Sequence, residues 1–221
     1  MSPPLWQSPE LPALLAADLQ APADQQWRHR FAPQLSYGRH AGPARGDARP
    51  AAVVLVLCWD GRQWSLPLTV RNAQLTRHGG QVSLPGGLID AGESPRDAAE
   101  RELEEELGLR PPLQWLGELS PLFVFASNAT VTPCVAAIDH WPNWVAQPAE
   151  VDRVLKLDVG ELLHQLQPPP LSVQRGPFRF QAPQLIVEGQ SAWGATAVML
   201  GELRARLLRI TNEHYGGRFA R

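Results

Sequence analysis

Lysine is almost missing from this 221-residue chain: Lys156 is the only one, and the remaining basic charge is arginine, a compositional habit of the source with no chemistry attached. Cysteine is scarce as well. Cys58 and Cys134 each sit inside an apolar run, VVLVLCWD and TVTPCVAAID, so the expectation is two buried reduced thiols in a cytoplasmic protein rather than a disulfide. The formal net charge is only -2, which gives no general attraction to nucleic acid or to anionic membranes. The N-terminus, MSPPLWQSPELPALLAADLQ, has neither a basic leader region nor a long apolar stretch, so no signal peptide or membrane span is expected. No internal repeat or low-complexity tract is present. What is present is a composition 44% hydrophobic and 19% charged, ordinary for a folded globular chain. The oligomeric state is not written in the sequence, and a homodimer is left open.

Residues 1–50 are rich in Pro, Ala, Gln and Arg, with only LPALLAADLQ and ADQQWRHRF of helical character, and read as an extension or cap before a main domain at 51–221. AAVVLVLCWD and GRQWSLPLTVRN flank Asp60-Gly61, a hairpin turn signal. The apolar continuity of Ala52 to Cys58 predicts a strand covered on both faces. PLQWLGELSPLFVFASNATVTPCVAAIDH offers at least two strands, with alternation clearest from Thr130 to Ile138, and VDRVLKLDVGELLHQL a strand followed by a short helix. LQPPPLS reads as a surface turn, PFRFQAPQLIVEGQ as a hairpin, and SAWGATAVMLGELRARLLRI as a closing amphipathic helix of about 18 residues. Strands and helices at irregular intervals predict an α/β or α+β fold, a mixed sheet layered by helices.

The most informative stretch is GGLIDAGESPRDAAERELEEELGL, Gly86 to Leu109. Ser94 and Pro95 start a helix and Gly108 stops it. At about 100° per residue, Ala99, Leu103 and Leu107 share one face, Glu102 and Glu106 lie near each other with Glu105 beside them, and Glu100 and Glu104 point elsewhere. Carboxylates converging beside a buried face repel one another, and a hard divalent cation removes that conflict. Magnesium keeps positions for water and substrate phosphates, so the pattern points to phosphate chemistry. Arg101 is placed to pair with Glu105 one turn on.

The order Gly87, five residues, Glu93, seven residues, Arg101-Glu102-Leu103, one residue, Glu105-Glu106, one residue, Gly108-Leu109 resembles the Nudix box at every fixed position. The resemblance implies the Nudix fold and hydrolysis of a nucleoside diphosphate linked to another group, with Mg2+ or Mn2+. It implies that Glu102, Glu105 and Glu106 bind metal, that Glu93 is an auxiliary carboxylate, that Arg101 orients its neighbours, and that either Glu105 or Glu106 is the general base. Gly86 and Gly87 would let the backbone approach metal and phosphates.

Upstream, LPLTVRNAQLTRHGGQVSLPGG resembles the additional motif of the coenzyme A pyrophosphatase branch: Leu68-Thr69-Val70-Arg71, Gly80 and Pro85-Gly86-Gly87 fit, while Pro67, Asn72, Thr76 and Leu84 depart from it. Arg71 and Arg77 are the candidate phosphate binders, since arginine offers paired, permanently charged donors. The reaction implied is cleavage of coenzyme A or an acyl derivative into 3′,5′-ADP and 4′-phosphopantetheine. Another nucleotide substrate (ADP-ribose, a dinucleotide cofactor or a nucleoside triphosphate) and a non-catalytic nucleotide-binding module stand as alternatives. His78, Ser127, Asn128, Trp193 and Glu150 are weighed as further site residues against ordinary surface or packing roles. Trp141 and Trp144 are weighed as a surface patch or a cover for the sheet edge.

Overall fold

The computed structural model describes residues 3–23, 30–32, 46–76, 78–108, 110, 112–165, 169–175 and 177–215. Its centre is the strand β1 (Arg49–Trp59), which runs parallel to β7 (Ala129–Ile138) from Arg49↔Ala129 to Cys58↔Ile138. Asp60 folds the chain back into β2 (Trp64–Arg71): its Oδ1 accepts the Arg62 and Gln63 amides at 2.9 and 2.8 Å, and Gly61 takes φ 92. The predicted hairpin is therefore present, held by an aspartate that mimics a backbone turn.

Around this pair the sheet grows to eight strands. β3 (Val82–Ser83) and β8 (Val151–Asp158) both pair with β2, β4 (Gly86–Leu88) pairs with β1, and β5 (Gln114–Glu118) and β6 (Leu122–Val124) pair with β7. All these pairs are antiparallel except β1 with β7, so the sheet is mixed as expected.

Both faces of β1 are covered. Ala52, Val54, Val56 and Cys58 pack with Ala99, Leu103 and Leu107 of the helix α2 (Pro95–Leu107). Ala51, Leu55 and Leu57 face a larger core supplied by α1 (Leu11–Leu19), α3 (Val159–His164) and α4 (Ala195–Tyr215). The mixed sheet is thus sandwiched between helices. Described residues of the early segment reach this core: Leu5, Leu11 and Leu15 are completely buried in it. Both cysteines are free and buried, and burial pushes their thiols up, Cys134 to about 12.

Several local expectations need correcting. PFRFQAPQLIVEGQ is not one hairpin but parts of two: β10 (Phe178–Ala182) pairs back with β9 (Leu171–Arg175), and β11 (Gln184–Val187) pairs forward with β12 (Gln190–Trp193). The turn of the second ribbon is Glu188-Gly189, with φ 47 and 77, a two-residue loop of left-handed conformation that suits antiparallel strands. Ser191 to Trp193 consequently belong to a strand, and the last helix starts only at Ala195, after Gly194 at φ 65, and runs 21 residues. In β7, burial alternates only near Ala129 to Thr132 and becomes continuous from Pro133, where both faces are covered. Residues 24–29 of ADQQWRHRF and 166–168 of LQPPPLS lie outside the described residues, and Leu171 and Ser172 of the latter already belong to β9 rather than to a turn. Among the described residues no helix is long and apolar enough to cross a membrane.

Candidate functional site

The acidic helix α2 forms as the local chemistry dictates. Ser94 Oγ accepts the Asp97 amide at 3.2 Å while Asp97 Oδ2 accepts the Ser94 amide at 3.1 Å, a reciprocal cap. Gly108, at φ 68, ends the helix in a conformation that disfavours side chains. With Ala98, Ala99, Leu103 and Leu107 buried against the sheet, the rest of the helix surface is fixed. Glu100 and Glu104 turn away toward Arg110, at 3.5 and 3.8 Å.

Arg101 gathers the other side. Its Nε and Nη2 donate to the two oxygens of Glu93 at 2.8 and 3.1 Å, its Nη1 to Glu102 Oε1 at 2.9 Å and Glu105 Oε2 at 3.1 Å, and its Nη2 also to the Leu88 carbonyl. Three carboxylates thus share one guanidinium, which holds Glu93 below the usual carboxylate range. Among the described residues no three His, Cys, Asp or Glu side chains are already gathered closely enough to hold a metal ion.

Glu106 is different. It is 1% exposed, its Oε1 lies 3.4 Å from Arg71 Nη1, and a Gly86 backbone N–H donates to its carboxylate. Its Oε2 is buried and has no hydrogen-bond partner. Burial pushes the Glu106 carboxyl up to about 8, with Arg71 pulling the other way and Glu102 and Glu150 adding repulsion. Glu102 is raised for the same leading reason, burial, with Arg101 opposing and Glu105 and Glu150 repelling.

The glycines are required by proximity. A Cβ on Gly87 would overlap the Glu102 carboxylate, and one on Gly86, which takes φ 149, would overlap the Ala52 carbonyl and Val53 of β1. Glu102 is therefore pressed against bare backbone. A buried, unpartnered carboxylate oxygen, a second carboxylate beside it and only oxygen donors make a set that fits a hard divalent cation.

Arg71, at the end of β2, also lines a cavity of about 250 Å³. Gly86 lines it too, so Glu106 lies directly behind its wall. Of the residues weighed from the sequence, His78, Ser127 and Trp193 line this cavity. Asn128 is not among its lining residues; it holds φ 49 and its side chain donates to the Asp47 carbonyl. Arg77 lies outside the described residues.

Phe180 and Met199 also line the cavity and went unnoticed in the sequence, where nothing distinguishes them from packing residues. Glu150 comes close because the segment before it docks on the end of α2: Val145 and Gln147 amides donate to the Leu107 and Glu106 carbonyls, both at 2.9 Å. Asn72, a departure from the motif, ties the same segment to β2 through its amide to the Glu150 carbonyl at 2.8 Å and its side chain to the Pro148 carbonyl at 2.6 Å. Trp141 and Trp144 meet edge to face at 6.3 Å and pack against the core under α2, with the Lys156 ammonium over Trp141.

The NUDIX domain family matches residues 48–171 of the chain. The human protein named mitochondrial coenzyme A diphosphatase NUDT8 is 37% identical over 164 residues, 71% of this chain and 69% of that protein. A protein of Pectobacterium atrosepticum named uncharacterized Nudix hydrolase NudL is 30% identical over 176 residues, 79% of this chain and 90% of that one. Among solved structures, the Nudix hydrolase RenU from M. smegmatis is 21% identical with a TM-score of 0.45, covering 59% of this chain and 80% of that one.

Proposed function

The chain belongs to the Nudix family of hydrolases, and from that premise we propose that it is a Mg2+- or Mn2+-dependent pyrophosphohydrolase cleaving coenzyme A or an acyl-coenzyme A into 3′,5′-ADP and 4′-phosphopantetheine. The observation that carries the reaction type is the buried Glu106 oxygen left without a partner beside Glu102, a donor pair suited to a cation. Nudix hydrolases generally use divalent cations. The substrate rests on the motif from Leu66 to Gly87, which sets Arg71 against Glu106, and on the relatives named coenzyme A diphosphatase.

In this reading Glu102, Glu105 and Glu106 hold the cation, and Glu93 is auxiliary. A bound divalent cation supplies charge neutralisation for the diphosphate oxygens and acidifies a water. Arg101 orients the carboxylates by donating to both oxygens of Glu93, to one oxygen each of Glu102 and Glu105, and to the Leu88 carbonyl. Arg71 binds a substrate phosphate, with Arg77 as a second phosphate binder, and the bare backbone of Gly86 and Gly87 gives the diphosphate room to approach. Glu105, 54% exposed, stands where water reaches it and takes the proton of the attacking water, with Glu106 as the alternate base. We further propose that residues 1–50 form an N-terminal extension to a hydrolase domain at 51–221, and that the protein works in the cytoplasm, whose reducing conditions suit two free thiols.

The test is incubation with Mg2+ or Mn2+ and, separately, coenzyme A, dephospho-coenzyme A, ADP-ribose, NADH and nucleoside triphosphates, with products identified by mass. Metal-dependent release of 3′,5′-ADP and 4′-phosphopantetheine, reduced by about 100-fold or more in Glu105→Gln or Glu106→Gln, is the expected result. Cleavage of a different nucleotide ends the substrate assignment and keeps the chemistry. Binding without cleavage of any of them makes the protein a nucleotide-binding module.

A further inference from the structure

The family match ends at residue 171, yet much of the cavity wall comes from beyond it: Phe180 on β10, Trp193 on β12, and Ala195, Thr196 and Met199 at the start of α4. The glutamates lie within the matched region, and this part of the wall lies outside it. We infer that the cavity is the subsite for the uncharged pantetheine arm, with Phe180 and Trp193 as specificity-determining residues; this rests on the coenzyme A reading above.

Three observations select the arm over the nucleotide half. First, size: about 250 Å³ is below the roughly 300–1,000 Å³ of sites that enclose a whole drug-sized ligand, so the cavity takes one part of the substrate. Second, charge: the nucleotide half carries a 3′-phosphate besides its share of the diphosphate. Among the described lining residues the only permanent cation is Arg71, which already faces Glu106 at 3.4 Å. A phosphate ester placed deeper, among Val53, Leu84, Val131 and Met199, would lose its hydration without a counter-charge.

Third, shape: the Phe180 and Trp193 rings are 6.4 Å apart at their centroids and tilted by 58°. They pack on each other and leave no parallel slot between them for a purine. An inclined aromatic corner suits a branched, flexible chain with geminal methyl groups, and His78, Gln81 and Ser127 at the same cavity offer hydrogen bonds to its amides. Arg71 at the wall shared with Glu106 then sits at the junction, on the phosphate that carries the arm.

The experiment is calorimetric titration of 4′-phosphopantetheine and, separately, 3′,5′-ADP, both with Mg2+, into the wild type, Phe180→Ala and Trp193→Ala. The expected result is phosphopantetheine binding weakened about tenfold or more in both variants, the scale of losing one buried aromatic contact, with 3′,5′-ADP binding within twofold of wild type. Coenzyme A turnover should show the same loss as a raised KM with kcat nearly unchanged. The unchanged nucleotide affinity also reports that the variants are folded.

Weakened 3′,5′-ADP with intact phosphopantetheine would assign the cavity to the nucleotide and overturn the inference. So would equal loss of both ligands in Phe180→Ala, whose ring sits half-exposed on a peripheral two-stranded ribbon, or absence of phosphopantetheine binding in the wild type. Because binding is read without turnover, the two readings separate. A wild type that leaves coenzyme A uncut but binds phosphopantetheine through Phe180 refutes the proposed reaction alone, whereas one that cuts coenzyme A with both variants unaffected refutes the arm subsite alone.

Discussion

At the scale of single residues, the site is defined by what its carboxylates lack. Glu106 was identifiable from its spacing in the acidic run; its burial and its pairing with Arg71 were not, because the two are 35 residues apart and meet only once β2 and α2 are packed. In metal-free protein the folded Glu106 keeps its proton up to about pH 8, while in the unfolded chain it is released near 4.5. Between those values the folded state binds more protons than the unfolded state, so stability falls as pH rises through that window. Thermal midpoints measured in chelator should therefore drop between about pH 5 and 8 in the wild type and drop less in Glu106→Gln, which has no proton to release. Equal slopes in the two proteins would show that Glu106 is not the group responsible. Gly87 makes the complementary point. In Gly87→Ala the new methyl meets the Glu102 carboxylate, and we expect hydrolysis to fall by about tenfold or more while the unfolding midpoint moves little, since Gly87 is the partly exposed middle residue of a three-residue strand.

Among elements, α2 was the most legible and the two terminal ribbons the least. Every determinant of α2 is local: a serine cap, a proline at the first turn, an aspartate closing the capping box, an apolar face at helical spacing and a glycine to end it. Consistent local signals need no tertiary information. Ser94→Ala removes the hydroxyl half of the reciprocal cap while the backbone N–H of residue 94 can still donate to Asp97, and should cost about 1 kcal/mol in urea unfolding with kcat retained once the protein is folded. A change below about 0.3 kcal/mol would mean that packing of Ala99, Leu103 and Leu107 alone sets the helix. β10 and β11, by contrast, are separated by Pro183 alone, and the apolar pairs in FRF and LIV suggest that they pair with each other. They do not, because Glu188-Gly189 provides a tight left-handed turn that gives β11 a nearer partner in β12. The arm subsite was hidden for the same reason: Phe180 reaches Trp193 only through this unanticipated double ribbon.

On the scale of the whole molecule, the mixed sheet and its covering helices were readable from apolar runs, whereas the attachment of the N-terminal segment was not. Asp18, at the end of α1, is 7% exposed and binds two arginines of α4: its Oδ2 accepts from Arg206 Nη1 at 3.0 Å and its Oδ1 from Arg209 Nε at 2.6 Å. Arg206, 6% exposed, also donates to Glu202, which in turn accepts the Ser120 amide and hydroxyl. The partners are 188 residues apart in sequence, and no periodicity connects them. The cluster lies on the face of the sheet opposite α2, so it bears on stability rather than on the glutamates. Removing one member of a buried charge pair typically costs about 3–5 kcal/mol, because the remaining charge loses its compensation. Arg206 would keep Glu202, which places Asp18→Ala near the lower end, about 3 kcal/mol by urea unfolding. The exposed pair of Glu104 with Arg110 gives the contrast: Glu104→Ala should change stability by less than about 0.5 kcal/mol. If Asp18→Ala also costs less than about 1 kcal/mol, the ion cluster is not what fastens residues 3–22 to the domain. That task would then fall to the complete burial of Leu5, Leu11 and Leu15, and Leu15→Ala should show the 2–5 kcal/mol loss of a core leucine, roughly, in its place.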